Sequence, residues 1–418
     1  MASVFSSLPQ TIHRAASEIG GNCIEITNED GARLILDAGR PLDVPEGLEP
    51  QLPASLDLSK PVEGVLLSHP HQDHYGLLQQ LPASWPVFSG EAAAKLIKLT
   101  SEIIHEPITR SISPWLSGSP FQAGPFRITP MLTDHSAFDA YMIQVEIAGK
   151  KILYSGDFRA HGRKKVLVER MMSLPPKKLD ALIMEGTNLG SDKPCISESA
   201  LEEQFVDLFQ KTTGRVFVAW SAQNLDRTVS LYRACKKTGR TLVVDLYTAE
   251  VLEMLGEHAR IPQPGWPNLK VVITSRLSEF YRRKGREDVT ERMVTHGMSA
   301  QGLVETPGQW VVMTRHSLLG DYERKGVIPD ANDAWVWSMW GGYLEKAPGQ
   351  GVKAWFDGFG TPSTHLHTSG HASTADLKEF AQKMNAKVLL PVHGTAWIPG
   401  MDGFPNIAKL DDGQEFSI

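Results

Sequence analysis

Short apolar runs that stop abruptly at polar, chemistry-bearing residues recur along this chain. Cys23-Ile24-Glu25-Ile26 and Leu34-Ile35-Leu36 flank the turn Asn28-Glu29-Asp30-Gly31, which predicts two paired strands, the second closed by Asp37-Ala38-Gly39. Pro41 to Ser59 is Pro-rich and polar and predicts a loop. Val65-Leu66-Leu67 predicts a buried strand, with a helix start at Gly76-Leu77-Leu78. Glu91 to His105 carries strong helix formers. Phe126-Arg127-Ile128 predicts a hairpin strand feeding Thr133-Asp134-His135. Tyr141 to Ile147 and Lys151 to Tyr154, joined through Gly149, end in Ser155-Gly156-Asp157, and the apolar run Leu179 to Met184 ends in Glu185-Gly186-Thr187.

Near Gly190 the pattern becomes strand, helix, strand. Arg215 to Trp220, Thr241 to Leu246, Val271 to Thr274, Gln309 to Thr314 and Ala334 to Trp340 read as strands, with helices over Asn224 to Lys237 and Ala249 to His258. Such alternation predicts a parallel sheet with right-handed crossovers. After residue 352 the earlier character returns: a strand over Lys353 to Phe356, a helix over Ala375 to Asn385 capped by Ser373 or Thr374, and a strand over Lys387 to Leu390 ending in Pro391-Val392-His393-Gly394. The reading is an α/β chain of 418 residues with one domain (1–190 and 352–418) interrupted by a second (191–351).

The chemistry sits where the apolar runs end. Ser68-His69-Pro70-His71-Gln72-Asp73-His74 places three imidazoles and a carboxylate just past a strand. In an extended segment His69 and His71 project to one side, while Asp73 and His74 fall where the chain turns. Adding His135, Asp157 and His393 gives five imidazoles and two carboxylates, enough for two metal sites if Asp157 bridges. One would take His69, His71, His135 and Asp157, and the other Asp73, His74, Asp157 and His393. Nitrogen and oxygen donors without thiolate suit zinc, with manganese as the alternative. Two dications bring the pKa of a bridging water toward 7, supplying hydroxide at neutral pH, and neutralise an anionic substrate, which points to phosphodiester hydrolysis. Asp73 is placed to orient or deprotonate the nucleophile.

Composition narrows the setting. The chain is 41% apolar and 22% charged, ordinary for a globular protein. No apolar run approaches the ~20 residues of a membrane span, so no membrane partner is expected. Cys23, Cys195 and Cys235 have no paired spacing, so a disulfide-free protein of the cytoplasm is expected. A net charge of −6 argues against a surface built to wrap duplex, though a groove can be locally basic. Arg159, Arg163, Lys164 and Lys165 form one such cluster, Arg282, Arg283, Lys284 and Arg286 another; each reads as solvated surface before it reads as a phosphate track, the first less so because it follows Asp157.

The segments Leu67 to His74, Thr133-Asp134-His135-Ser136, Tyr154-Ser155-Gly156-Asp157-Phe158 and Pro391-Val392-His393-Gly394 resemble those of the β-CASP nucleases of the metallo-β-lactamase fold, and among them the ribonuclease J family. Met184-Glu185-Gly186-Thr187-Asn188, Ser369-Gly370-His371-Ala372-Ser373 and His393 match that group's three defining motifs. The resemblance implies a metallo-β-lactamase αββα sandwich with an inserted parallel-sheet β-CASP domain, and a two-metal ribonuclease, endo- or 5′-exonucleolytic, acting on single-stranded RNA. In this group His at the third motif accompanies RNA-acting members, where DNA-repair members usually carry Val. The resemblance also implies roles. His371 would contact the scissile phosphate and protonate the leaving oxygen. His367, Ser369 and the amide of Gly370 would hold phosphate. Glu185 would orient a ligand or His371 rather than bind metal, and Asp37 would support a ligand in the same way. Thr395 departs from the pattern, since relatives usually carry Glu there. The chain ends soon after His393, so the further C-terminal domain typical of ribonuclease J is not expected, and a homodimer is left open.

Ser221-Ala222-Gln223-Asn224, between a strand and its helix, reads either as an anion-binding turn that gives Ser221 to a phosphate or as a plain helix cap. Trp335, Trp337 and Met339 alternate on one strand face with Trp340 on the other; such apolar density reads as core ahead of base stacking. Trp220 and Trp397, beside expected site loops, are the better stacking candidates. Three rival functions stand beside the ribonuclease. A DNA nuclease is opposed by His393. A small-molecule metallo-hydrolase is opposed by the inserted domain and the Ser-Gly-His motif. A non-catalytic RNA-binding subunit is opposed by the full set of seven ligands.

Overall fold

The structure, a computed structural model, describes residues 8–44, 48–104, 107–191 and 194–418. It divides into two compact units, one formed by residues 1–195 and 370–418 and the other by 196–369.

In the first unit two sheets share one apolar interior. The first is seven-stranded, in the order Glu415–Ser417, Pro9–Arg14, Cys23–Thr27, Arg33–Leu36, Gly64–Leu66, Val87–Gly90, Ser113–Trp115. The second is six-stranded, in the order Val388–Pro391, Ala181–Met184, Lys150–Tyr154, Tyr141–Ile147, Phe126–Leu132, Phe121–Ala123. Because side chains alternate along a strand, Leu34 and Leu36 meet Ile143, Ile152 and Ile183 between the sheets. Ile35 faces the other way and packs with Val65, Leu67, Ala94 and Ile97, covered by the helix Glu91–Ile104. Leu153, Leu182 and Leu389 face outward from the second sheet onto Val168 of Lys165–Ser173 and onto Leu377, Phe380 and Ala381 of Thr374–Met384. Strands buried on both faces read as unbroken apolar runs, which is how they stand in the sequence. The order helix, sheet, sheet, helix is an αββα sandwich. His105, expected at the end of the first of these helices, lies outside the described residues.

Buried polar groups fix the first sheet. Glu25 accepts from Arg33 Nη2 at 2.7 Å and Nε at 2.9 Å, and from His13 Nε2 at 3.1 Å. Burial alone would raise this carboxyl, but the hydrogen bonds from His13 and Arg33 carry it down to about 2.

The second unit is built on a seven-stranded, all-parallel sheet in the order Gly297–Ser299, Leu269–Ile273, Thr241–Asp245, Trp310–Met313, Val216–Ala219, Ala334–Trp337, Ser363–His365. Helices such as Leu225–Thr238 and Leu246–Leu255 connect its strands. Among the described residues no helix is long and apolar enough to cross a membrane.

Three expectations are corrected. The helical turn near the His-rich stretch covers Gln72–Tyr75, carrying Asp73 and His74, rather than starting at Gly76. The segment expected as a strand over Lys353 to Phe356 lies in the helix Ala347–Gly358. Val352 and Phe356, four residues apart, bury one face of it, Lys353 pairs with Asp357, and Pro348 starts it. Gly349, which weakens the helix signal, is required by packing: a Cβ there would lie 2.2 Å from the Tyr343 carbonyl oxygen. With that helix and Ser363–His365 both packed into the second unit, residues 352–369 belong to it, so the chain returns to the first unit at Gly370 instead of 352.

Because the folded-state carboxyl of Glu25 is depressed, the stability it contributes is present above its ordinary pKa of 4.5 and lost as pH falls toward about 2. Glu25→Gln should cost about 3 kcal/mol at neutral pH, leaving Arg33 without its charge partner. In urea unfolding, the gap between wild type and variant should close as pH falls from 4.5 to about 2; a gap constant with pH would show that the pair contributes nothing through ionisation.

Candidate metal centre

The site is assembled from residues just past the ends of six strands. Arg33–Leu36 leads to Asp37, Gly64–Leu66 to His69, His71, Asp73 and His74, Phe126–Leu132 to His135, Lys150–Tyr154 to Asp157, Ala181–Met184 to Glu185, and Val388–Pro391 to His393. Gly39 lets two of these loops touch, since a Cβ there would lie 1.8 Å from the Asp73 carbonyl oxygen.

Three groups of donors converge: His69, His71 and His135; Asp73, His74, Asp157 and His393; and Asp157, Glu185 and His371, with the donor atoms of each group within 4.8 Å of one another. Asp157 Oδ2 lies at the centre, 3.1 Å from His74 Nε2, 3.6 Å from His393 Nε2, 3.7 Å from His69 Nε2 and 3.7 Å from His371 Nδ1. Asp73 Oδ2 stands 3.9 Å from the Nε2 atoms of both His74 and His393. His71 Nδ1 and His135 Nε2 are 3.3 Å apart.

The outer nitrogens of four imidazoles are held by the protein. His69 Nδ1 meets Ser68 Oγ at 3.1 Å, His74 Nδ1 donates to Asp37 Oδ2 at 2.8 Å, His135 Nδ1 to the Gly370 carbonyl at 2.6 Å, and His393 Nδ1 to Asn22 Oδ1 at 2.7 Å. Such bonds fix the tautomer and leave the Nε2 lone pair facing inward, as metal-ligating histidines require. Asp37 also accepts from the Ser68 amide at 2.7 Å and from the Tyr154 hydroxyl at 2.7 Å.

Electrostatics divides the cluster. Burial and then neighbouring imidazoles push His69 and His135 well below 6.5, and burial brings His71 to about 4, so these three offer neutral lone pairs. His74 is opposed by burial but raised well above 6.5 by Asp157, Asp37 and Asp73. The carboxylates that favour a proton on His74 would equally favour a dication beside it. Burial raises the Asp157 carboxyl, and His393, His74 and His371 outweigh it and hold the group well below its ordinary range. His69 Nε2, His393 Nε2 and Asp157 Oδ1 are buried and have no hydrogen-bond partner. Orphaned inward-facing donor atoms of this kind, all nitrogen or oxygen, fit divalent cations.

His371 differs from the others. Its Nδ1 lies 3.0 Å from Glu185 Oε2 and 3.2 Å from Oε1. Burial would lower its pKa, but Glu185 first and Asp157 next raise it to about 9, so it carries a proton at neutral pH. Glu185 is itself fixed by the Phe158 amide at 2.9 Å, and Asn188 Nδ2 holds the carbonyls of His371 and Ala372 at 3.0 Å each.

Of the other expected residues, His367, Ser369 and Ser221 lie in the second unit, and Gly370, whose carbonyl meets His135, opens the return to the first. In the Ser221 turn, Asn224 Oδ1 accepts from the Arg227 amide at 3.1 Å, so the turn caps a helix. The two tryptophans favoured for base stacking are buried. Trp220 donates to Thr228 Oγ1 at 2.9 Å, and Trp397 packs on Gly186, where a Cβ would meet its Nε1 at 2.1 Å, and on Phe404. Arg159, the first residue of the expected basic cluster, is buried with Asp134 at 3.4 Å and is no part of a surface. Sequence reading gave no role to Asn22, Tyr154 or Asn188, although the last two stand in the quoted motif segments, because their partners lie far along the chain.

Residues 17–185 match the metallo-beta-lactamase superfamily, and residues 363–396 match the Zn-dependent metallo-hydrolase RNA specificity domain. Ribonuclease J of Mycobacterium tuberculosis is 25% identical over 411 residues, covering 91% of this chain and 67% of that protein. Ribonuclease J of Sinorhizobium meliloti is 21% identical over 379 residues, covering 84% of this chain. The chain spans 62% of the length of the Sinorhizobium protein and 66% of that of the ribonuclease J of Mycoplasma genitalium. A crystal structure of a protein of unknown function from Enterococcus faecalis V583 superposes over 99% of this chain and 100% of its own, with a TM-score of 0.77 at 16% identity, and so shares the fold. The sandwich and these matches support a ribonuclease J-like protein, with residues 17–185 similar to the metallo-beta-lactamase superfamily.

Proposed function

We propose that the chain is a two-metal ribonuclease that hydrolyses phosphodiester bonds of single-stranded RNA. The observation that carries this reading is a histidine held protonated by Glu185 immediately beside a buried cluster of nitrogen and oxygen donors. The match of residues 363–396 to an RNA specificity domain, and the relatives named ribonuclease J, support RNA as the substrate.

His69, His71 and His135 with Asp157 would hold one cation, and Asp73, His74 and His393 with Asp157 the second. Zinc is the proposed metal, with manganese the alternative for such donors. Bound, the pair would acidify water toward neutrality and neutralise a phosphodiester. The chain's own groups do the rest. Asp73, only partly buried, is the carboxylate placed to take the proton of the attacking water. His371 gives its proton to the leaving oxygen, and Glu185 keeps that proton on the ring. His367, Ser369 and the Gly370 amide would contact substrate phosphates.

End-labelled RNA and DNA of one sequence, incubated with Zn²⁺ or Mn²⁺, test the reading. RNA should be cut, DNA should not, and His71→Ala and His371→Ala should each be nearly silent; the ladder then separates internal from 5′-end attack. Equal cutting of DNA would remove the RNA assignment, and a protein that holds metal yet cuts neither would not be a nuclease.

Asp37→Ala should lower metal affinity about 10–100-fold, because His74 loses the bond that orients it; titration against a chelating dye measures this without any substrate. Glu185→Gln should leave bound metal unchanged and reduce kcat about 100-fold, the contribution of a positioned general acid. Loss of metal from that variant would instead make Glu185 a ligand.

A further inference from the structure

The second unit holds aromatic rings of two kinds on one short stretch. Trp335 and Trp337, on the strand Ala334–Trp337, are 3% and 5% exposed, and Trp335 stacks on Phe356 with ring centres 4.9 Å apart and planes 4° from parallel. Trp340, three residues beyond the strand, is 57% exposed, and Tyr343 beside it is 48% exposed. A lone exposed ring would be unremarkable, but this one is built in. Trp337 Nε1 donates to the Trp340 carbonyl at 3.2 Å, and Tyr343 meets the Trp340 ring edge-on at 5.4 Å and 90°. A Cβ on Gly342 would come within 2.1 Å of the indole, so the ring lies against bare backbone and can do so only because that residue is glycine.

The neighbouring strand end continues the surface. His365 Nε2 donates to the Met339 carbonyl at 3.0 Å, and Gly341 would bring a Cβ to 3.9 Å from His365 Cε1. The His365 and His367 rings stack with centres 5.8 Å apart and planes 5° from parallel. His367 Nδ1 is buried and has no hydrogen-bond partner. The frame beneath is rigid: Arg227 donates to the Ser338 carbonyl at 2.7 Å, and Ser338 Oγ to the Leu366 carbonyl at 2.6 Å, tying the two strand ends together. All of this stands at the carboxyl ends of parallel strands, where open α/β sheets bind ligands.

We propose that Trp340, with Tyr343 and His365, is a stacking platform for a base of single-stranded nucleic acid whose backbone phosphate reaches His367. This rests on the ribonuclease reading and adds to it a base-contacting surface formed by the inserted unit alone. Flat faces take any base, purines best because their rings are larger, so the platform adds affinity without reading sequence.

The test is fluorescence anisotropy with a labelled ten-nucleotide adenine RNA, in EDTA so that nothing is cut, using the full chain. Trp340→Ala should bind about tenfold more weakly, the loss of one stacked base. Trp340→Phe should keep most of the affinity, and an abasic ribose-phosphate oligomer should bind wild type and Trp340→Ala alike. Thermal melts of both variants should match wild type, since the indole is largely outside the core. Unchanged adenine binding by Trp340→Ala, or an equal loss with the abasic oligomer, overturns the platform; if wild type still cuts RNA once Zn²⁺ or Mn²⁺ is restored, the ribonuclease reading stands without it. Trp340-dependent binding with no cutting has the opposite consequence. Wild type that binds no adenine RNA overturns the platform and leaves the ribonuclease reading to the cleavage assay.

Discussion

Asp157 is a carboxylate buried among imidazoles, and the organisation of the site follows from the cost of putting it there. Burial alone would protonate it; His393, His74 and His371 keep it ionised. Five inward-facing imidazoles and His371 cannot all be charged in so small a volume, so they divide. Burial drives the protons off His69, His71 and His135, helped at His69 and His135 by neighbouring imidazoles, while facing carboxylates favour positive charge at His371 and, as a proton or a dication, beside His74. One half of the cluster thus offers lone pairs and the other positive charge, both referred to one oxygen atom.

Holding that arrangement requires strand ends. A strand buried on both faces is fixed by packing along its whole length, so the residue just past it inherits a position that a surface loop would not have. The sandwich supplies such ends in number, and the site is distributed over them. This is why so much of it was legible: each candidate donor follows an apolar run, and residue type plus that placement were enough to collect the seven side chains that the structure gathers into two groups. What escaped was set by distance along the chain. Asn22 and Tyr154 look like an ordinary turn residue and strand residue until folding brings them together at 2.8 Å.

The misread segments have their own physical causes. The run from Lys353 to Phe356 is too short to separate period two from period 3.6, and Gly349 and Gly351 nearby weaken the helical signal although the first glycine is there for clearance. Trp220 and Trp397 were placed by their neighbours in sequence, which says where the backbone goes and nothing about which way a large ring turns. Large rings turn inward unless backbone or neighbouring groups hold them out. Trp335 and Trp337 obey that rule, and Trp340 departs from it because the strand has ended and Gly342 leaves room for the ring to lie down outside.

The outer ring of the metal centre acts as one body. His74 Nδ1 binds Asp37, Asp37 binds the Tyr154 hydroxyl, that hydroxyl accepts from Asn22 Nδ2, and Asn22 Oδ1 accepts from His393 Nδ1. Asn22 couples the two ends, because its amide can turn its oxygen to His393 only while its nitrogen faces Tyr154. Two imidazoles 5.1 Å apart between ring centres are therefore oriented by a single continuous chain of hydrogen bonds. Buried chains of this kind strengthen one another and are costly to leave half-satisfied. Removing any member loosens both imidazoles, so the geometry around Asp157 is held or lost as a unit.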